Sequence, residues 1–364
     1  MNKFETKIYY IYILICFSFI LLTTKYINLY DIIHVANQMD VISYVEIAKS
    51  APLLPKYSDV IIQNVAQRFL IPYLAGYLAY ILQINFFVIY KFFIFIFIFL
   101  YIFLINLLIK NFKLNFKESI LFFSLLFLNP YVVRNCIFQP IMAHDMLFFC
   151  LGLIFALTII NKNYIINLAT TVFSIYLRQT SIALFVSSCI FLLLNKKTKI
   201  LIALLLMYSV SFILIIKVGK FISIDKFPIN LAYGIIFYDF SQIEKLIKFL
   251  LLPMVSFFPL LIFFLSKVKK DINIFNAIII LFACVMMIGQ PIMAGPDGSI
   301  NNAGRIASLC YPLLTVFFFY TFDLKKIIKN NYLFYFFITG LFAWSLHPTF
   351  SVFKIFEDLR FYNY

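Results

Sequence analysis

Apolar runs long enough to cross a membrane recur from one end of this 364-residue chain to the other. Hydrophobic residues make up 64% of the chain and charged residues only 12%, whereas soluble globular domains carry about 25% charged residues. A helix needs about 20 consecutive apolar residues to cross the hydrocarbon core of a bilayer. The sequence therefore predicts an all-α integral membrane protein, folded as a single polytopic transmembrane domain over residues 1–364.

The apolar runs divide into about eleven predicted transmembrane helices. They cover residues 8–24, 86–109, 118–134, 142–160, 164–178, 180–195, 199–217, 246–266, 272–293, 305–322 and 332–350. A further apolar run, 69–84, contains Pro72 and Gly76, and at about 16 residues it is marginal for a span. Whether this run crosses decides the side of the membrane on which every later segment lies.

The distribution of lysines indicates which side is cytoplasmic. Four clusters lie between apolar runs: Lys110/Lys113/Lys117, Lys196/Lys197/Lys199, Lys267/Lys269/Lys270 and Lys325/Lys326/Lys329. Lys and Arg are enriched in cytoplasmic loops. All four clusters share the side of the N-terminus only if the run 69–84 is a juxtamembrane helix. We therefore predict a cytoplasmic N-terminus, a first extracytoplasmic loop over 25–85 with juxtamembrane helices, and a later extracytoplasmic loop over 218–245.

Composition and motifs exclude several classes of function. The net charge of +15 comes from lysines scattered between apolar runs, so a nucleic-acid partner is not expected. The six cysteines occur singly, which predicts neither a disulfide framework nor a cysteine metal site. No phosphate-binding glycine motif is present. With the predicted topology, eleven of the fifteen acidic residues lie outside, and any chemistry is expected on that side.

The first outer loop places an acid, Asp40, just beyond the first span, and Tyr44 follows it. A carboxylate at this position is suited to act as general base toward an acceptor hydroxyl, or to help bind a divalent cation such as Mg²⁺ or Mn²⁺. The alternative is a helix cap, because residues 41–46 have a helical pattern that begins after Asp40. Arg68 opens the apolar juxtamembrane run, and both Arg68 and Tyr44 are candidate substrate ligands.

The turn between the third and fourth predicted spans holds Arg134, His144 and Asp145. An acid at a helix start favours capping of that helix, but the neighbouring histidine and arginine are more than a cap requires. Asp145 is therefore a candidate second catalytic acid, or a metal ligand together with Asp40. His144 and Arg134 are candidate substrate ligands.

Two further arginines are candidate phosphate ligands, since the guanidinium fork matches phosphate oxygens. Arg178 lies between two short apolar runs, where a charged side chain needs a partner. The alternative for Arg178 is a salt bridge to Asp145 or Asp40. Arg305 begins the tenth predicted span, and the alternative there is a side chain that extends to the membrane interface.

These residues resemble the GT-C superfamily of polytopic glycosyltransferases over nearly the whole chain. The resemblance is carried by Asp40 and Tyr44 in the first outer loop, Arg68 to Leu74, Asp145 at the fourth span, Arg178 in a short hairpin and Arg305 near a late span. No large outer domain follows the last span and Trp344 is the single tryptophan, so the resemblance is to a small bacterial type.

The resemblance implies transfer of a sugar from a polyprenyl-phosphate donor to a hydroxyl of a glycan or lipid acceptor, outside the cell membrane. In a bacterium this would be the inner membrane. Asp40 would act as base, and Arg178, Arg305 or a lysine of an outer loop would hold the lipid phosphate. Two alternatives stay open: a flippase or transporter of lipid-linked glycans, and a polymerase or ligase of surface polysaccharide.

Overall fold

The computed structural model describes residues 2–24, 39–224, 235, 243–270, 272–299, 303–324 and 328–346. These residues are mostly helical. The strands within them are short: β1 (Lys267–Val268) pairs in antiparallel fashion with β2 (Phe322–Asp323). The all-α architecture predicted from composition is confirmed for this part of the chain.

The α-helices are α1 (Lys3–Thr23), α2 (Met39–Ser50), α3 (Gln63–Ala66), α4 (Leu70–Leu82), α5 (Phe86–Asn111), α6 (Phe116–Phe127), α7 (Asn135–Phe138), α8 (Ala143–Ile160), α9 (Tyr164–Ser174), α10 (Ile182–Leu194), α11 (Thr198–Ile222), α12 (Ile243–Phe257), α13 (Ile274–Ser299), α14 (Ala303–Ser308), α15 (Tyr311–Thr321) and α16 (Asn331–Ser345). A π-helical turn (Pro130–Arg134) and three 3₁₀ segments (Pro140–Met142, Gln179–Ser181 and Phe258–Leu265) join some of them.

Six helical segments are long and apolar enough to cross a membrane, as an integral membrane protein requires. They are Lys3–Thr23, Phe86–Asn111, Phe116–Phe138, Pro140–Ile160, Thr198–Ile222 and Ile274–Gly295. Other predicted spans are interrupted. Pro259 lies in a 3₁₀ segment after α12, and a turn before Pro312 separates α14 from α15. Proline lacks the backbone donor that an uninterrupted helix needs, so these runs form shorter helices than their apolar length predicts.

The predicted spans 164–178 and 180–195 form a hairpin of short helices. Helix α9 has 11 residues, which corresponds to about 16 Å. Arg178 then adopts an extended backbone, with φ −151° and ψ 140°, before the chain turns into α10. The next helix, α11, has 25 residues and reaches about 38 Å. The Arg178 turn is therefore recessed within the bundle.

Hydrogen bonds between distant residues sort the helix termini into two ends of the bundle. The end that contains the N-terminus, called the N-terminal end below, is joined by the pairs Tyr9–Asn106, Asn111–Asn161, Lys117–Asn331 and Tyr164–Asn195. The opposite end, called the distal end below, is joined by the pairs Thr23–Arg134, Tyr44–His144, Arg68–Gln179 and Tyr57–Phe221. The long helices alternate in direction between these two ends.

Helix α4 begins and ends at the distal end. It starts two residues after Arg68, which contacts the Arg178 hairpin through Gln179. It stops at Gln83, in the left-handed conformation with φ 52°, and α5 begins three residues later. Since α5 runs from there to the N-terminal end, α4 does not traverse the bundle.

Helices α2 and α4 cross in close backbone contact at Gly76. A Cβ built on Gly76 would overlap the carbonyl oxygen of Ala48, far inside van der Waals contact. Glycine is therefore required for this crossing distance. The first loop also contacts the C-terminal end of α11. There the backbone nitrogens of Tyr57 and Ser58 donate to the carbonyl oxygens of Phe221 and Ile222, respectively.

The two central segments, Phe116–Phe138 and Pro140–Ile160, are the most buried of the six membrane-length segments. They carry Arg134, His144 and Asp145, each almost fully buried. Charged side chains at membrane depth are tolerated when they face protein rather than lipid. The central position of these two segments thus explains how an apolar chain accommodates three ionisable groups.

Candidate functional site

Helix α2 presents Asp40 and Tyr44 one turn apart, so that both side chains lie on the same face. Asp40 is in the first helical turn, where the helix dipole favours a negative charge, and its side chain is half-buried. Tyr44 is fully buried. The negative charge of Asp40 acts on both Tyr44 and Arg68, so the three side chains form one electrostatic unit.

The hydroxyl of Tyr44 is a junction between two parts of the chain. Arg68 Nη1 donates to it over 3.2 Å, and His144 Nε2 lies 3.3 Å away. The two rings pack with centroids 4.9 Å apart. The first loop is thereby joined to the start of the central helix α8.

His144, Asp145 and Arg178 form a buried chain of charged contacts. His144 Nε2 lies 3.3 Å from Asp145 Oδ1. Arg178 Nε donates to the same oxygen over 2.5 Å, and Arg178 Nη2 also pairs with it. Of the two interpretations of Arg178 from the sequence, the structure places it in the salt bridge to Asp145. Its guanidinium compensates the buried carboxylate, which is the condition for keeping such a charge inside.

A second chain of contacts joins the first loop to the Arg178 hairpin. Arg68 Nε donates to Gln179 Oε1 over 2.9 Å. Gln179 Nε2 donates back to the carbonyl oxygen of Asn64 over 2.7 Å and to Gln67 Oε1 over 3.0 Å. Helix α3 and its flanks thus cover the hairpin turn, and Gln179 holds Arg68 in position.

The two arginines of the cluster differ in charge compensation. Arg178 has Asp145, whereas Arg68 makes no ion pair with any carboxylate in the described part of the chain. Burial lowers the pKa of Arg68, but Tyr44 and the charge of Asp40 outweigh it and leave that pKa above its ordinary value. Arg68 is therefore a fixed positive charge in a buried polar site.

Burial raises the pKa of the Tyr44 hydroxyl above its ordinary value, although Arg68 and Arg178 oppose that shift. Tyr44 is consequently a neutral hydroxyl at physiological pH. When His144 carries its proton on Nε2, Tyr44 accepts from both His144 and Arg68, and its own hydrogen is directed elsewhere. When Nε2 is unprotonated, Tyr44 donates to His144 instead, so the tautomer of His144 sets the direction of the hydrogen bond.

Arg134 lies in a different group of contacts. Its Nη1 donates to Thr24 Oγ1 over 3.0 Å, and its Nη2 donates to Thr23 Oγ1 over 2.8 Å and to Ser345 Oγ over 3.1 Å. The guanidinium also lies over the ring of Phe19, 5.8 Å from its centroid. These contacts join α1, the π-helical turn and α16, which is an arrangement suited to holding the distal end of the bundle together.

Two predictions from the sequence remain: Arg305 as a phosphate ligand and Asp40 with Asp145 as metal ligands. Arg305 is in helix α14, and its side chain lies outside the part of the chain that the structure describes. The described residues contain no group of three or more His, Cys, Asp or Glu side chains arranged to hold a metal ion. Asp145 already has the Arg178 guanidinium against it, and this positive charge disfavours a cation at the same oxygen.

Gln179, Asn64 and Tyr90 also belong to this site, and their part in it was not predicted from the sequence. Gln179 follows Arg178 directly, and a polar neighbour of a buried arginine is a usable signal for a positioning residue. Tyr90 is fully buried in α5 and interacts electrostatically with Tyr44. Its hydroxyl has no hydrogen-bond partner among the described residues. Tyrosine in an aromatic-rich apolar run carries no such signal.

The chain was compared with family models, curated proteins and solved structures, and none of them matches it.

Proposed function

We propose that this protein is a membrane glycosyltransferase of the GT-C type, which moves a sugar from a polyprenyl-phosphate donor to a hydroxyl of a glycan or lipid acceptor on the extracytoplasmic face. One observation carries the proposal. Asp40, Tyr44 and Arg68 of the first loop meet His144, Asp145 and Arg178 of the central helices in one polar cluster at the distal end. The positive-inside distribution of lysines supports an extracytoplasmic position for that end.

Arg68 is the phosphate ligand in this proposal. The donor presents a phosphate at its leaving group, which gains negative charge as the glycosidic bond breaks. Arg68 has a free positive charge for it, since the described residues offer Arg68 no ion pair. Arg178 is the weaker candidate, because Asp145 already occupies its guanidinium. A preorganised guanidinium next to the leaving oxygen stabilises the charge that develops in the transition state.

Asp40 is the general base in this proposal. It is half-buried at the start of α2, within electrostatic reach of Arg68. The acceptor oxygen attacks the anomeric carbon, its proton passes to Asp40, and the bond from that carbon to the phosphate oxygen breaks. The products are the glycoside and the polyprenyl phosphate. A single displacement inverts the configuration at the anomeric carbon.

Asp145 acts indirectly. Its carboxylate fixes Arg178 and contacts His144, and His144 in turn contacts Tyr44. The proposal therefore makes Asp145, His144 and Tyr44 positioning residues. They hold α2 and the Asp40 carboxylate in place.

The test is transfer of a radiolabelled sugar from a panel of polyprenyl-phosphate donors by membranes that contain the protein at matched levels. Asp40→Asn is expected to reduce transfer at least about 100-fold, as loss of a general base does. Asp59→Asn is the matched control, because Asp59 is an exposed acid in the same loop, and it is expected to retain transfer. Equal transfer by wild type and Asp40→Asn would overturn the role of Asp40.

A second variant tests the phosphate ligand. Arg68→Lys keeps the charge but loses the planar fork that contacts Tyr44 and Gln179, so it is expected to raise the KM for the donor. If the wild type moves labelled donor across vesicle bilayers but transfers no sugar to any acceptor, the protein is a flippase and the glycosyltransferase proposal is wrong.

A further inference from the structure

A pocket of about 370 Å³ opens at the N-terminal end of the bundle, remote from the polar cluster. Part of its lining consists of Tyr9, Ile109 and Leu114, which are all buried. Thr6 and Asn106 add polar groups to the walls, and the Tyr9 hydroxyl donates to Asn106 Oδ1 over 2.9 Å. The pocket therefore combines apolar and hydrogen-bonding groups between α1 and the C-terminal part of α5.

Two exposed lysines, Lys110 and Lys113, line the mouth of this pocket. Neither forms an ion pair with a carboxylate within the described residues. The nearest acid on α1, Glu5, instead accepts a hydrogen bond from the backbone nitrogen of Asn2 in a capping box. The mouth of the pocket thus carries two positive charges that no carboxylate of the described residues neutralises.

The backbone holds these lysines at the mouth. Lys113 has φ 51°, the left-handed conformation that ends a helix after its last turn. Its nitrogen donates to the carbonyl oxygen of Lys110 over 3.2 Å, and the nitrogen of Leu114 donates to Ile109 over 3.1 Å. The C-terminal turn of α5 is therefore closed on itself, which fixes the two lysines next to one another.

The surroundings of the pocket match an amphiphile rather than a free ion. Tyr10, at the rim, is 52% exposed, and amphipathic aromatic residues are typical of the membrane–water interface. One turn deeper on the same helices, Leu14 and Phe103 are 64% and 57% exposed. An occupant with a charged head at the lysines thus finds an apolar surface for its acyl chains.

We propose that this pocket binds the phosphate headgroup of an anionic phospholipid in the leaflet at the N-terminal end. Basic pockets between transmembrane helices suit such headgroups, and positive charge near the cytoplasmic leaflet is attracted to anionic lipids. The site is independent of the proposed glycosyltransferase activity. It anchors α1 against α5 at the end of the bundle opposite to the polar cluster.

The test uses detergent-purified full-length protein, with phosphatidylglycerol or phosphatidylcholine added. Native mass spectrometry counts retained lipid, and a thermal unfolding curve reports stabilisation. Wild type is expected to retain phosphatidylglycerol in preference to phosphatidylcholine. Lys110→Gln/Lys113→Gln is expected to bind phosphatidylglycerol about 10-fold more weakly or worse, since each lysine near an anionic surface contributes appreciably.

Lys162→Gln/Lys196→Gln is the matched control. Lys162 and Lys196 also have positive φ, at 54° and 55°, and they are exposed at the ends of α8 and α10 but do not line the pocket. Equal loss of binding in both double variants would overturn the proposal, because it would show that diffuse surface charge and not this pocket attracts the lipid. Thr6→Phe fills the pocket without changing its charge and is expected to weaken binding.

Soluble glycerol 3-phosphate distinguishes binding of the whole lipid from binding of its headgroup alone. It is expected to stabilise the protein only at far higher concentrations than phosphatidylglycerol does. Stabilisation by both at the same concentration would overturn the lipid assignment and leave a site for free phosphate esters.

Discussion

The hydroxyl of Tyr44 lies 3.3 Å from Nε2 of His144, although 100 positions separate the two residues in the chain. This contact joins a short helix of the first loop to the start of a buried central helix. Arg68 donates to the same hydroxyl, so one phenol connects both chains of polar contacts in the candidate site. Removing that hydroxyl is the most direct test of how the site is held together.

Tyr44→Phe is expected to lower the free energy of unfolding by about 1 to 3 kcal/mol near neutral pH, because Arg68 and His144 each lose a buried partner. The size of the loss depends on pH. The folded protein holds the Tyr44 proton more tightly than the unfolded chain does, since its pKa is raised by burial. The stability from this group is complete below about pH 10 and decreases as pH rises toward the raised pKa.

The measurement is the thermal unfolding midpoint of both proteins from pH 7 to pH 11. The difference between wild type and Tyr44→Phe is expected to shrink above about pH 10. Tyr77→Phe serves as the control, because Tyr77 is 39% exposed. Its unfolding midpoint is expected to match that of wild type at each pH. A difference that stays constant across the whole range would contradict the buried, protonated Tyr44.

Asp145→Asn is expected to destabilise the protein by about 3 to 5 kcal/mol, because it leaves the Arg178 guanidinium buried without its ion-pair partner. Arg178→Gln is expected to lower the free energy of unfolding by a similar amount. The double variant Asp145→Asn/Arg178→Gln is expected to lose less unfolding free energy than the two single variants lose together, since neither charge then remains buried alone. A double-mutant cycle of unfolding midpoints measures this coupling. Strictly additive losses would show that the two side chains act independently.

Gly76→Ala is expected to cost about 1 to 3 kcal/mol or more through overpacking, since the new methyl would overlap the carbonyl oxygen of Ala48. Displacing α2 also displaces Tyr44, one turn before Ala48, and transfer activity is expected to fall. Gly152→Ala is the matched control within α8, where nothing lies within 4 Å of the added carbon. Unfolding midpoints and activity of both variants check this prediction. A tolerated Gly76→Ala would mean that α2 and α4 cross at a greater distance.

Arg134→Lys is expected to destabilise the protein by about 1 to 3 kcal/mol, because an ammonium on a flexible stem does not reproduce the guanidinium geometry toward Thr23, Thr24 and Ser345. The KM for a donor is expected to stay at the wild-type value at a temperature where the variant is folded. Unfolding midpoints and donor titrations provide the two readouts. A raised KM without a stability change would restore Arg134 as a substrate ligand.

Much of the fold could be predicted from local composition, and the misplaced boundaries have local causes. The predicted span 199–217 is longer in the structure, where α11 extends over Thr198–Ile222, because Lys217 and Lys220 do not interrupt a helix as they interrupt an apolar run. The predicted run 332–350 forms α16 over Asn331–Ser345, and its last residues fall outside the described part of the chain. Apolar length predicted the six membrane-length helices, but it overestimated the helices that a turn or a 3₁₀ segment interrupts.

The candidate site could be predicted only as a set of residue types. Asp40, Tyr44, Arg68, His144, Asp145 and Arg178 were all selected because ionisable or polar groups are costly in an apolar chain. Their roles within the cluster could not be assigned, because that required knowing which side chains meet. Gln179 and Tyr90 were overlooked for the same reason, as neither carries a charge.

That this chain is helical and suited to a membrane follows from its amino-acid sequence, since the transfer of each apolar run into hydrocarbon depends on about 20 residues of that run. How the arginines are used depends instead on the packing of the helices. Arg178 neutralises Asp145, Arg134 binds hydroxyl groups, and Arg68 keeps a charge without an ion pair among the described residues. Charge compensation acts over a few ångströms between helices, and these distances arise from packing that no local run of residues encodes.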